Sequence, residues 1–225
     1  MTDNIASTNE TSATLAEAAA RHGIELSKKQ LEKLEQYCKL LWEWNEKINL
    51  TRHTTYDKFV GRDLVDTHVL ANLIEQGERV LDVGTGGGVP GIPLAILRPD
   101  LTVALSESVG KKSRVVEDIV KRLGLQMSVY PERAEKVLAK REFDTLVIRA
   151  VAPLPKLLTW FKPLWQRFGR LLVIKGPAWV EERGEARHLG LLRSLELRRV
   201  ANYPIPGADG ESVVLMVWPR GKKRA

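Results

Sequence analysis

Apolar residues recur at two different periods in this chain, and the change of period divides it. Leu31, Leu34, Cys38, Leu41, Asn45 and Ile48 follow one another at helical spacing, flanked by Trp42 and Trp44. Ser27 is a good N-cap and Gln30, three residues on, completes a capping box, so a helix begins there. A shorter Ala-rich helix over Leu15 to His22 precedes it and is closed by Gly23. A third helix is predicted over Tyr56 to Ile74, with Phe59, Leu64, His68 and Leu70 turned inward. Residues 13–76 thus read as an N-terminal helical subdomain, and the polar residues 1–12 as a flexible tail.

From Arg79 onward short apolar runs alternate with helical stretches. Strands are predicted over Arg79–Gly84, Leu101–Glu107, Met127–Tyr130, Phe143–Ile148 and Arg170–Ile174. Helices fall between or after them, over Gly91–Leu97, Lys111–Leu123, Glu135–Ala139, Leu157–Phe168 and Trp179–Leu192. Such alternation implies right-handed crossovers and a parallel sheet. Two last runs, Leu195–Ile205 and Ser212–Trp218, flank a Pro206–Gly210 turn and read as an antiparallel hairpin. Residues 77–220 therefore form a Rossmann-like α/β domain, mostly parallel, and residues 221–225 a basic tail.

Composition narrows the class. Of 225 residues, 44% are apolar and 28% charged, which excludes a collagen-like or largely disordered chain. No run reaches about 18 apolar residues, so no membrane-spanning segment is expected. The polar, acidic start lacks the basic region of a secretory signal. Cys38, the one cysteine, allows neither an internal disulfide nor a Cys-rich zinc site. His53 and His68 lack metal-ligand spacing, and no metal is assigned. The six tryptophans read as packing, and Asn45, Asn49 and Thr51 as residues that close a helix and its turn. Cytoplasmic residence and a monomer are the defaults. A net charge of +7 raises the prospect of a polyanionic partner without deciding it.

The chemistry concentrates in Asp82-Val-Gly-Thr-Gly-Gly-Gly-Val-Pro-Gly91. Lying between a strand and its helix, this loop would present a ligand at the carboxyl edge of the sheet. Gly86 to Gly91 fits the dinucleotide spacing G-x-G-x-x-G. Asp82, however, puts a carboxylate beside the loop. That suits the ammonium and sulfonium of S-adenosylmethionine better than a pyrophosphate. Glu107, ending the second strand, could grip the ribose hydroxyls of either cofactor. Two other readings stay open: an NAD-dependent oxidoreductase, for which no catalytic Tyr-Lys or His pair is in place, and a non-catalytic RNA-binding or ribosome assembly factor.

The motifs carry a resemblance over roughly Leu26 to Pro219. Trp44-Asn45-x-x-x-Asn49-Leu50-Thr51, Arg62-Asp63-x-x-Asp66-Thr67, Leu81-Asp-Val-Gly-Thr-Gly86, Pro90-Gly-Ile-Pro-Leu94, Glu107-Ser108-x-x-Lys111-Lys112, Arg133-Ala-Glu135, Ile148-Arg-Ala150 and Lys175-Gly176 occur in order. Together they resemble the glucose-inhibited division protein B family of bacterial 16S ribosomal RNA guanine-N7 methyltransferases. The resemblance implies a class I S-adenosylmethionine-dependent methyltransferase fold with an N-terminal helical cap. It also implies ribosomal RNA, or the small subunit, as substrate.

Cofactor contacts would then fall on Gly84, Val89, Ala134, Glu135 and Arg149, beside Asp82, Gly86 and Glu107 from the loop argument. Arg149 would also orient the base or its phosphate, while Lys111, Arg133 and Lys175 would meet RNA. Guanine N7 is already nucleophilic, so no general base is expected. The sequence accords with this, having no Asn-Pro-Pro-Tyr after the fourth strand and no Pro-Cys pair. It departs from the family at Gly87 and Gly88, where bulkier residues are usual, at Val89, often Phe or Leu, and at Asp63, often His. A slacker glycine loop is expected from the first two, and a less apolar wall from Val89.

Overall fold

A computed structural model describes residues 14–204 and 210–221. The expected tail over residues 1–12, most of the Pro206–Gly210 turn and the basic tail beyond Gly221 lie outside the described residues.

The N-terminal part is helical: α1 (Leu15–Arg21), α2 (Lys28–Asn45), α3 (Tyr56–Lys58) and α4 (Val65–Ala71). The predicted Ser27–Gln30 capping box closes, and α1 carries a second one, Thr14 with Glu17, that the sequence reading did not name. The expected third helix is continuous, but its middle, Phe59–Leu64, is a π turn, and it ends at Ala71 rather than Ile74. With the wider turn upstream, the buried stripe passes through Asp63, Thr67 and Leu70, so His68 is only half-buried and not an inward residue.

The sheet has seven strands: β1 (Arg79–Val83), β2 (Thr102–Ser106), β3 (Ser128–Tyr130), β4 (Phe143–Arg149), β5 (Phe168–Lys175), β6 (Leu195–Pro204) and β7 (Glu211–Pro219). Their order is β3-β2-β1-β4-β5-β7-β6. The first five are parallel and β7 runs antiparallel to both neighbours. Between them lie α5 (Gly91–Leu97), α6 (Gly110–Arg122), α7 (Ala134–Lys140), α8 (Leu154–Phe161) and α9 (Trp179–His188).

Two helices, α8 and α9, depart from their expected bounds. α8 starts at Leu154, with Pro155 in its first turn where a missing N–H costs nothing, and gives way to a 3₁₀ turn over Lys162–Leu164. Residue 168 thus opens β5 instead of closing a helix. α9 stops at His188 because Gly190 turns left-handed (φ 67).

Alternation along the strands divides the core. Val147, Leu172 and Ile174 face the helical cap, packed with Leu34, Cys38 and Leu41 of α2. Leu146, Ile148, Leu171 and Val173 face α7, α8 and α9. Strand order reverses beside β1, whose Val83 is in register with Ser106 of β2 and Ile148 of β4. The ends of these three strands therefore open on one crevice, where such sheets bind ligands.

Candidate active site

Asp82 lies under the glycine loop. Its carboxylate is buried; Oδ2 accepts the Thr85 hydroxyl (2.5 Å) and the Gly91 N–H (2.8 Å), and Oδ1 has no partner. Burial, only partly offset by those hydrogen bonds, lifts its pKa to about 6. Gly84 leaves β1 with φ 68, and a Cβ there would stand 2.8 Å from Val151 Cγ2, so glycine is required. Glu107 accepts the N–H of Gly86 (3.0 Å) on one oxygen and that of Val109 (2.8 Å) on the other. The loop is not slack. The buried Tyr37 of α2 donates its hydroxyl to Gly87 O (2.8 Å), and a Cβ on Gly88 would fall 2.5 Å from Ile92 Cδ1. The two extra glycines let the loop pass close under the cap.

Two hollows meet at Gly84. The smaller, about 260 Å³, is lined by Ser106, Ser108, Arg133, Ala134, Glu135 and Trp160 among others. The larger, about 360 Å³, includes Leu50, Thr51, His53, Asp63, Gly86, Val89, Glu107, Lys112 and Arg149 in its wall. Asn45 folds its upper lip by accepting the N–H groups of Leu50 (2.8 Å) and Thr51 (2.9 Å). Most predicted positions are thus brought together. Asp82 lines neither hollow. Lys111 is exposed on α6 and lines neither, whereas its neighbour Lys112 does. Lys175 binds Glu182 and the Ala152 carbonyl, each at 2.7 Å. Trp160, read from sequence as packing, lines the smaller hollow.

Arg149 ends β4 in a network the sequence reading did not assemble. Nη2 donates to Asp63, which the π turn buries, and Nε lies 3.2 Å from Asp66. Asp63 also meets His53 Nδ1 at 2.9 Å, and Asp66 accepts the Tyr203 hydroxyl at 2.6 Å. Burial raises the pKa of Asp66 despite Arg149, and burial with Asp66 raises that of Tyr203. Arg149 Nη1 is buried without a partner. The next residue, Ala150, takes φ 54, a strain of about 1 kcal/mol for a side chain with a Cβ. The arginine's carboxylates are therefore Asp63 and Asp66. The one available signal was the three-residue spacing of Asp63 and Asp66, which puts both on one helix face. His53, Tyr37 and Tyr203 left none.

The charges are layered. Asp63 and Glu107 outnumber Arg149 in the inner wall, with Asp66 behind the arginine, while Arg52 and Lys112 sit toward the outside. An acidic interior suits a cationic ligand, and a basic lip suits a polyanion. Two orphaned buried polar atoms, Asp82 Oδ1 and Arg149 Nη1, fall in this region. Among the described residues no cluster of three or more His, Cys, Asp or Glu could hold a metal ion.

The sheet order, the glycine loop and the acid just after β2 define a class I methyltransferase fold. M. capricolum TrmK, solved with S-adenosyl-homocysteine, superposes with a TM-score of 0.55 at 13% identity over 69% of this chain and 68% of that one. The family model described as rRNA small subunit methyltransferase G matches residues 30–203, and the chain belongs to this GidB family. A relative of that description from Rhodopirellula baltica is 55% identical over 84% of this chain and 81% of its own. One from Desulfitobacterium hafniense is 37% identical over 85% and 81%.

Proposed function

We propose that the protein transfers the methyl group of S-adenosylmethionine to N7 of a guanine in small-subunit ribosomal RNA. The single observation that carries the reading is Arg149 Nη1: a buried cationic donor without a partner, on a guanidinium already fixed by two carboxylates, in the wall of the larger hollow. The donors present fit the cofactor. Ala134 and Glu135 would hold its adenine side, Glu107 has lone pairs left for ribose hydroxyls, and the backbone at Gly84 is bare for close approach. When bound, the cofactor supplies an electrophilic methyl on a sulfonium.

The protein's share is placement. Guanine N7 carries no proton, so no side chain need act as base, and the wall offers alignment instead. Arg149 can donate to guanine O6 or a flanking phosphate with its free Nη1. Lys112 and Arg133, on the lips of the two hollows, meet the RNA backbone. Asp82 holds Thr85 and Gly91 in place from below, a positioning role. The protein acts in the cytoplasm as a monomer.

The test is transfer of labelled methyl to unmethylated small subunits and to naked RNA, with cleavage mapping at 7-methylguanine. Label at a single cleavable guanine is the expected result. Absence of label on both, with S-adenosylhomocysteine bound, would refute the reading.

A further inference from the structure

Beyond the crevice, five arginines gather on the flank formed by α9, β6 and the turns beside them. Trp179, Arg183 and Arg187 follow at four-residue intervals, so they form one stripe along α9. At 100° per residue, Glu181 and Glu185 fall on the opposite side. Arg183 lies over the Trp179 ring at 4.9 Å, and Arg199 of β6 lies at 5.8 Å from the same ring. Below them a surface hollow of about 280 Å³ is lined by Arg183, Arg187, Arg193 and Arg220, with Leu195 and Leu197 beside them. Glu196 is the one acid in its wall and already pairs with Arg220 (3.0 Å).

The other four arginines, 183, 187, 193 and 199, are in no ion pair among the described residues. Elsewhere among the described residues Arg21, Arg79, Arg98, Arg122, Arg149, Arg167 and Arg170 meet a carboxylate, while others, Arg52 and Arg114 among them, do not; what sets this flank apart is that its unpaired guanidiniums share one hollow and one indole. Unpaired guanidiniums held over an indole keep their outer N–H forks for a ligand, and that geometry matches a phosphodiester oxygen pair.

The track is also aimed. It starts four residues after β5, whose Ile174 is in register with Arg149, and descends the flank away from the crevice. From Trp179 to Arg187 the helix rises about 12 Å, enough to meet several successive phosphates.

We infer that this arginine track is a second RNA-docking surface, gripping the phosphate backbone of substrate RNA that continues past the target guanine. The inference rests on the RNA substrate proposed above. It assigns backbone contact only, with no reading of bases.

The experiment measures methyl transfer as a function of RNA concentration and salt for wild type and for Arg183→Ala/Arg187→Ala/Arg193→Ala. Half-saturating RNA should rise about tenfold, with turnover at saturating RNA within about twofold. The log–log salt slope should become shallower by about two. S-adenosylhomocysteine affinity and the melting temperature should stay put, which shows the fold intact. The corresponding triple lysine variant should recover most of the affinity, because charge rather than packing is at stake. A control removing three scattered exposed lysines, Lys28, Lys121 and Lys162, should do far less. An unchanged slope, or an equal effect from the control, overturns the inference while leaving methyl transfer standing. A wild-type protein that methylates no RNA overturns both.

Discussion

Arg149 joins the two demands made on the site, since the carboxylates that fix it would be stranded without it. Arg149→Lys keeps the charge and loses the fork. Turnover should fall about a hundredfold with the melting temperature nearly unchanged. Arg149→Ala takes the guanidinium away from the buried Asp63 and Asp66 and should cost about 3 kcal/mol in denaturant unfolding. If both variants unfold alike and both keep full turnover, the arginine serves only the fold. Asp82 carries a pH signature of opposite sign to most carboxylates. Its folded pKa, about 6, exceeds the unfolded value of 3.8. The folded state therefore binds the proton more tightly, and this group favours folding below about pH 4, losing that contribution as pH rises through 6. Asp82→Asn should remove a slope on the order of 3 kcal/mol between those limits. The check is the difference in unfolding free energy between variant and wild type at several pH values. A constant difference would show that the carboxyl is not perturbed.

At the scale of elements, Tyr37 links α2 to the glycine loop. Tyr37→Phe keeps the ring among buried neighbours but strands the Gly87 carbonyl, at a cost of about 1–2 kcal/mol. Affinity for S-adenosylhomocysteine should drop several-fold by calorimetry, and no change would show that the clamp does not shape the pocket. The alternation of apolar runs made the parallel strands, the hairpin and the glycine loop legible in the chain, because burial on both faces demands near-continuous hydrophobicity. α8 was misplaced at both ends because proline marks a helix start as readily as a break. The π turn was invisible, since no hydrophobic period announces one extra residue in one turn. For the same reason Asp63 could be seen as unusual but not as the partner of Arg149, eighty-six positions away. Contacts made by crossing the fold, such as Asp66 with Tyr203, leave no local trace at all.

Taken whole, the molecule guards both rims of its sheet. At one edge β3 is only three residues long; at the other β6 carries exposed Arg198 and Arg199 and ends at Pro204. Short, charged or proline-ended edges resist pairing with a second copy. A single monomeric mass in light scattering across micromolar concentrations is expected, and a concentration-dependent dimer would contradict it. The positive charge is also uneven, with acids beneath the crevice and unpaired arginines on the flank, so net charge alone understates what a polyanion meets. The Tyr37 clamp reaches further than one hydrogen bond. A loop rich in glycine ordinarily opens on its own, and its amides exchange with solvent at little cost. Here the bond from Tyr37 and the close approach of Leu41, both on α2, bind the loop's opening to the unseating of that helix. The amides of Gly88 and Val89, bonded to Thr85 O, would then exchange in step with those of α2, as one cooperative unit.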